Sequence, residues 1–311
     1  MKSLSDFRDL AFDSVSFQKY IDSDCDRLSF LKNYLSERGV SSSVIPLGEK
    51  KHLYVNFSSA SYNPMFKIKT VICHYDRVAG SPGANDNSLA NFVVADFAER
   101  LSKNPLKVHN IRIFFTDGEE LGAEGVSSQG AFALAELFRK LGIVNDDVYV
   151  FDACGRGEVA ILARAGLDSK IKGPFKKKFM DLYERTQNLL RKCMTNSWMT
   201  LPVPYSDNAG FLACGIPAVA ITFLPKEEVS FYYSNLMTDE NLEKAVMNCR
   251  IENDEKNATD LSIQRFKYIE KMPKTWRLFH TEYDNFLSLT PNSIKMCNNI
   301  LNAIAEQMIL C

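Results

Sequence analysis

Several short stretches of this 311-residue chain end in side chains that could hold a cation or move a proton. TVICHYD, residues 70–76, sets His74 and Asp76 two apart directly after an apolar run. GANDNS follows, with Asp86. After IRIFFT come Asp117, Glu119 and Glu120; after VYVF comes Asp152; RLFHTEYDN supplies His280. Brought together, so many carboxylates would repel one another strongly unless cations lay among them. Two imidazoles add nitrogen ligands, and that mixture of nitrogen and oxygen suits zinc. Each residue alone has a plainer reading. Asp86 fits an Asx turn, Glu119–Glu120 a first-turn pair favoured by the helix dipole, Asp152 an N-cap and His280 a packed side chain. Their joint occurrence at the ends of apolar runs argues for one shared site. His52 and His109 sit in polar surroundings and read as solvated.

Elements are needed to carry these residues to one place. The segment FQKYIDSDCDRLSFLKNYLSERG has helical spacing of apolar positions and stops at Gly39. Short apolar runs at 53–57, 66–73, 111–116, 148–153, 159–163 and 216–224 read as strands. Longer amphipathic segments at 89–103, 131–142 and 176–192, with a last helix from about Pro291 to the C-terminus, read as helices. Such alternation predicts one α/β domain over residues 1–311, in three layers, with a mostly parallel sheet covered on both faces. In open α/β sheets ligands bind beyond the carboxyl ends of the strands, which is where the candidate residues fall. The stretch from about Glu227 to Leu278 breaks the alternation and reads as a helical insertion. Leaving and re-entering at the ligand-bearing edge, it is expected to cap the site. Its aromatic FYYSNLM and charged LSIQRFKYIEKM could wall a pocket or meet a second copy of the chain.

Composition narrows the class. The chain is 46% hydrophobic and 24% charged, with a formal net charge of -1, so nothing in its charge favours nucleic acid or an anionic membrane as partner. No run of roughly 18 apolar residues could span a bilayer. The start, MKSLSDFRDLAFDS, has acids where a signal peptide needs an apolar stretch, so the expected compartment is the cytoplasm. Eight cysteines without CxxC pairing then read as free thiols.

HYD, GANDN, DGEELGAEG, a later Asp after a strand and HTEYDN, in that order, resemble the M28 family of co-catalytic zinc aminopeptidases, and PYSDNAGFLACGIPAVAI is similar to another segment of that family. The resemblance runs from about residue 50 to the C-terminus, broken by the insertion. It implies a zinc-exopeptidase-like fold, two Zn2+ per chain and a peptide substrate with a free N-terminus. It also implies that His74, Asp86 and Asp152 hold one metal and Asp86, Glu120 and His280 the other, with Asp86 bridging. Glu119 would be the general base, and Asp76 would support catalysis by fixing the tautomer of His74. The chain departs from the family where GANDNSLA lacks a final Gly, where Phe279 replaces a Tyr of some relatives, and where Asn208 replaces a His. Glutaminyl cyclases are built on the same scaffold with similar motifs and a single zinc, so aminoacyl transfer is the rival chemistry. A binding module that has lost its chemistry is the rival outside enzymes, and retention of Glu119 speaks against it.

Overall fold

The computed structural model describes residues 12–120, 125–167, 172–247 and 268–311. Helices α1 (Ser14–Tyr20) and α2 (Arg27–Glu37) open the described chain. Asp26 caps α2 by accepting the Ser29 N–H. An eight-stranded mixed sheet follows: β1 (Ser42–Leu47), β2 (Lys50–Val55), β3 (Lys69–His74), β4 (Ile111–Thr116), β5 (Asp147–Phe151), β6 (Val159–Ala163), β7 (Trp198–Leu201) and β8 (Ala218–Leu224). Their order across the sheet is β1-β2-β4-β3-β5-β8-β6-β7. The central four, β4-β3-β5-β8, run parallel. Antiparallel pairing enters towards the edges, at β1–β2, β2–β4 and β6–β8.

Alternate residues of the central strands feed two separate cores, which makes the three layers. Val71, Cys73, Tyr149 and Phe151 face one core, covered by α3 (Leu89–Ser102), α5 (Pro174–Cys193) and α10 (Pro291–Glu306). Ile72, Val148 and Val150 face the other, covered by α4 (Gly130–Lys140) and α6 (Asn208–Ala213). The first core is completed by the N-terminal helices, whose Phe17, Tyr20 and Tyr34 surround Phe92 at ring centroid distances of 4.7–5.4 Å.

The insertion contributes α7 (Lys226–Thr238), α8 (Glu240–Met247) and α9 (Lys274–Leu278). Much of LSIQRFKYIEKM lies outside the described residues. Tyr232, Leu242, Val246, Tyr268 and Met272 belong to the second core, so the insertion is packed into the domain. The last helix stops at Glu306 rather than at the C-terminus. Beyond it the chain meets the segment just before β3: Lys67 N–H donates to Ile309 O at 2.7 Å and Cys311 N–H to Met65 O at 3.0 Å. No helix among the described residues is long and apolar enough to cross a membrane.

Candidate metal centre

β3 delivers His74, fully buried, at its carboxyl end. Two residues on, Asp76 faces His74, with Oδ1 3.5 Å from Nδ1. The same carboxylate accepts the Glu119 N–H at 3.3 Å on Oδ1 and the Glu120 N–H at 3.0 Å on Oδ2. Asp76 thus faces the imidazole and also holds the turn that presents both glutamates.

Residues 84–88 form a tight turn ahead of α3. Gly83 enters it at φ +59, and a Cβ there would lie 2.6 Å from the Asp86 carbonyl oxygen, so only glycine fits. The loop's polar side chains tie it to its neighbours. Asn87 Nδ2 donates to Phe151 O at 2.8 Å, and its Oδ1 accepts the Ala153 N–H at 3.2 Å, on either side of Asp152. Asn85 Oδ1 accepts the Gly155 N–H at 2.7 Å. From the far end of the chain, Asp284 accepts the Asn85 N–H at 2.9 Å and the Asp86 N–H at 3.0 Å.

Asp86 stands between the two imidazoles. Its Oδ1 lies 3.2 Å from His74 Nε2 and its Oδ2 3.3 Å from His280 Nε2. Asp152 Oδ1 lies 3.5 Å from His74 Nε2, and Glu120 Oε2 lies 2.8 Å from His280 Nε2. Two groups result, His74–Asp86–Asp152 and Asp86–Glu120–His280, each with its ligand atoms within 4.8 Å of one another. Ligands bonded to one tetrahedral zinc at about 2 Å sit about 3.3 Å apart, so most of these separations match shared coordination. His74 Nε2 and Glu120 Oε1 are buried without a hydrogen-bond partner. The donor set therefore fits zinc.

Electrostatics agree. Burial, then the charge of Asp86, lifts Glu120 to about 7. Burial above all, with Glu120, Asp152 and Asp207 nearby, pushes Glu119 well above the usual carboxylate range. Burial disfavours the charged form of His280, yet Asp86 and Glu120 outweigh it and raise its pKa to about 10. His74 is driven up in the same way by Asp152, Asp76 and Asp86. Carboxylates and imidazoles packed this closely compete for protons, and a cation among them would relieve the same repulsion. His280 also adopts φ +61, in the left-handed region. Such a conformation typically costs on the order of 1–3 kcal/mol and persists only where the surroundings enforce it.

Glu119 lines a cavity of about 270 Å3 together with Asp86, Glu120, Asp152 and His280. Its Oε1 accepts a hydrogen bond from Gln129 Nε2 at 3.2 Å. Val203 supplies one apolar wall, and Ile269, Met272 and Trp276 of the insertion another.

The structure thus brings His74, Asp76, Asp86, Glu119, Glu120, Asp152 and His280 to one edge of the sheet. Asp117 goes elsewhere, its Oδ2 accepting the Lys51 N–H at 2.9 Å. His52 and His109, expected to be solvated, are both buried. Each accepts a backbone N–H on Nδ1, His52 from Asp117 and His109 from Ile111, and burial lowers both to about 4, leaving them neutral. Sequence reasoning did not single out Asp284, Gln129 or Asp207. Asp284 in HTEYDN and Asp207 in PYSDNAGF lie within quoted motifs, and Gln129 in none.

Asp284→Asn is expected to weaken zinc binding roughly 10–100-fold, the usual effect of losing an outer carboxylate. The amide would set an N–H against a backbone N–H and loosen the loop that carries Asp86. Zinc titration against a chelating dye reads this directly, and unchanged affinity would show that the loop holds itself.

The family model of Peptidase family M28 matches residues 67–305. The fold is similar to that of the LapA aminopeptidase from Legionella pneumophila, with TM-score 0.58 and 14% identity over 97% of this chain and 72% of that one. It is similar to glutaminyl cyclase from Porphyromonas gingivalis, with TM-score 0.58 and 14% identity over 94% and 96% of the respective chains. A third similar structure is BSAP, a zinc aminopeptidase from Bacillus subtilis, with TM-score 0.50, 16% identity and 82% of this chain covered. The present chain spans 48% of that enzyme's length. At these identities the likeness is one of fold. No curated protein matches in sequence. The family match covers the ligand-bearing strand ends and the return at His280, and on it the chain belongs to Peptidase family M28.

Proposed function

We propose that this protein is a metal-dependent aminopeptidase that removes N-terminal residues from peptides. The observation that carries the reading is Asp86, which offers one oxygen to each of two ligand groups. A carboxylate so placed suits a two-metal hydrolase. His74, Asp86 and Asp152 would hold one zinc, and Asp86, Glu120 and His280 the other. When bound, such a pair lowers the pKa of water and polarises a carbonyl. Glu119 takes the proton of the attacking water on its carboxylate and returns it to the leaving amine as the C–N bond breaks. Gln129 orients that carboxylate, and Asp76 keeps both glutamates and His74 in register. Peptides with a free α-amino group are the proposed substrates.

Glutaminyl cyclisation is the second reading, favoured by the chain's coverage of 96% of the Porphyromonas gingivalis cyclase. One experiment separates the two: metal content per chain, with assays on an aminoacyl chromophore and on a glutaminyl peptide. Two ions with release of the N-terminal residue support the peptidase. Ammonia release from the glutaminyl peptide without hydrolysis would replace it by the cyclase, and inactivity on both substrates would point to a binding module.

The insertion is proposed to act as a cap over substrate. Trp276 lines the cavity and stacks edge-on against Tyr232 at 5.0 Å. Trp276→Ala should raise KM for peptides about tenfold or more, since one apolar pocket contact is worth about 1–3 kcal/mol, with metal content unaltered. Unchanged steady-state kinetics in a folded variant would remove the insertion from the substrate site.

A further inference from the structure

We propose that the hydroxyl of Ser206 is a catalytic residue, donating a hydrogen bond to the oxygen of the scissile carbonyl as that oxygen gains negative charge. The inference rests on the hydrolytic reading above and supplies a donor that reading lacks. Phe279 lines the cavity beside His280, and its ring offers no proton.

The other side-chain donors around the cavity are largely committed. Gln129 Nε2 donates to Glu119. Thr222 Oγ1 donates to Ala153 O at 3.1 Å, and Thr281 Oγ1 to Leu278 O at 2.6 Å. The Arg277 guanidinium donates through Nη2 to the carbonyls of Glu270 and Met272, although its Nε has no partner among the described residues. Ser206 differs. It lines the same cavity, is 2% exposed, and its Oγ has no hydrogen-bond partner among the described residues. A buried hydroxyl without a partner is costly and calls for a reason. A donor reserved for charge that develops only during reaction is such a reason.

Its backbone is well placed for the task. Ser206 O accepts the Ala209 N–H at 2.9 Å, and its N–H donates to Asn208 Oδ1 at 3.4 Å. The next residue, Asp207, accepts the hydroxyl of Thr116 at the end of β4 at 2.5 Å. That strand leads directly to Glu119, so the hydroxyl and the base are held on neighbouring, mutually bonded segments. Ser206 forms no covalent bond and keeps its proton throughout.

The test compares Ser206→Ala, Ser206→Thr and Tyr205→Phe in the zinc-loaded protein. Ser206→Ala should lose 10²–10³-fold in kcat, the usual cost of one such donor, with KM within about threefold and zinc content and melting unchanged. Ser206→Thr, which keeps a hydroxyl, should recover part of that rate. An aminoalkyl phosphonate, tetrahedral like the reacting carbon, should bind the Ala variant at least tenfold more weakly, while a free amino acid binds both equally. Full kcat in Ser206→Ala, or a loss confined to Tyr205→Phe, would overturn the assignment. Should no form hydrolyse peptides, the proposed function fails on that count, and the phosphonate comparison still decides about Ser206: equal affinity in both forms overturns its role as donor.

Discussion

Glu119→Gln should keep its metals and lose turnover by roughly 10²–10⁴-fold, the range associated with removing a general base. The amide is isosteric and can still accept the Gln129 N–H on its oxygen, so the turn held by Asp76 should stay in place. What it cannot do is take a proton from water. Glu119 belongs to neither of the two ligand groups, so metal affinity should be nearly unchanged. Steady-state kinetics alongside metal analysis make the comparison. A variant with the wild-type rate would mean that another group carries the proton.

Asp86→Asn should abolish binding of both ions together. The two carboxylate oxygens face His74 and His280 separately, at 3.2 and 3.3 Å, and no other side chain among the described residues belongs to both groups. An amide keeps one oxygen, loses the charge, and sets an N–H against one imidazole. The loss in affinity should exceed the 10–100-fold typical of an outer carboxylate, and activity should fall to background. The fold should survive, because Asp284 holds residue 86 through its backbone N–H. Metal content after dialysis against a weak chelator, with circular dichroism as control, reads the result. One tightly retained ion would show that the two groups are independent.

Much of the scaffold was legible because the central strands are covered on both faces. Every residue of β3, β5 and β8 is buried, and such strands appear in the sequence as unbroken apolar runs. β1 gave no such signal: SSVIPL lies at the sheet edge with no buried residue. β7, only four residues long, is the other edge. The insertion read as a polar excursion, yet its few apolar residues complete the second core. Spacing along the helix could not reveal that, because the face they meet comes from elsewhere in the chain.

His74, Asp152 and the Glu119–Glu120 pair were legible for a related reason, whereas Asp86 lies on the turn before α3 and His280 follows α9. A His or carboxylate just past an apolar run is placed by the strand itself, so position in the sequence translates into position at the edge. Asp284, Gln129 and Asp207 act by bonding a loop N–H, another side chain and a threonine hydroxyl, and those partners carry no local sequence pattern. His52 and His109 misled in the same way, since each is buried against a neighbouring backbone amide rather than turned to water.

The bonds from Asp284 to the Asn85 and Asp86 amides span 199 and 198 residues of chain. Closing so long a segment is slow, because its entropy must be lost before the contacts formed repay it. Helices and the hairpin of β1 and β2 can form early from near neighbours, whereas the loop carrying Asp86 gains its final anchor only when the far end of the chain arrives. Tight zinc binding therefore belongs to the completed fold. An ion held among Asp86, Glu120 and His280 would in turn act as a cross-link between distant segments, slowing their separation and lengthening the lifetime of the native state.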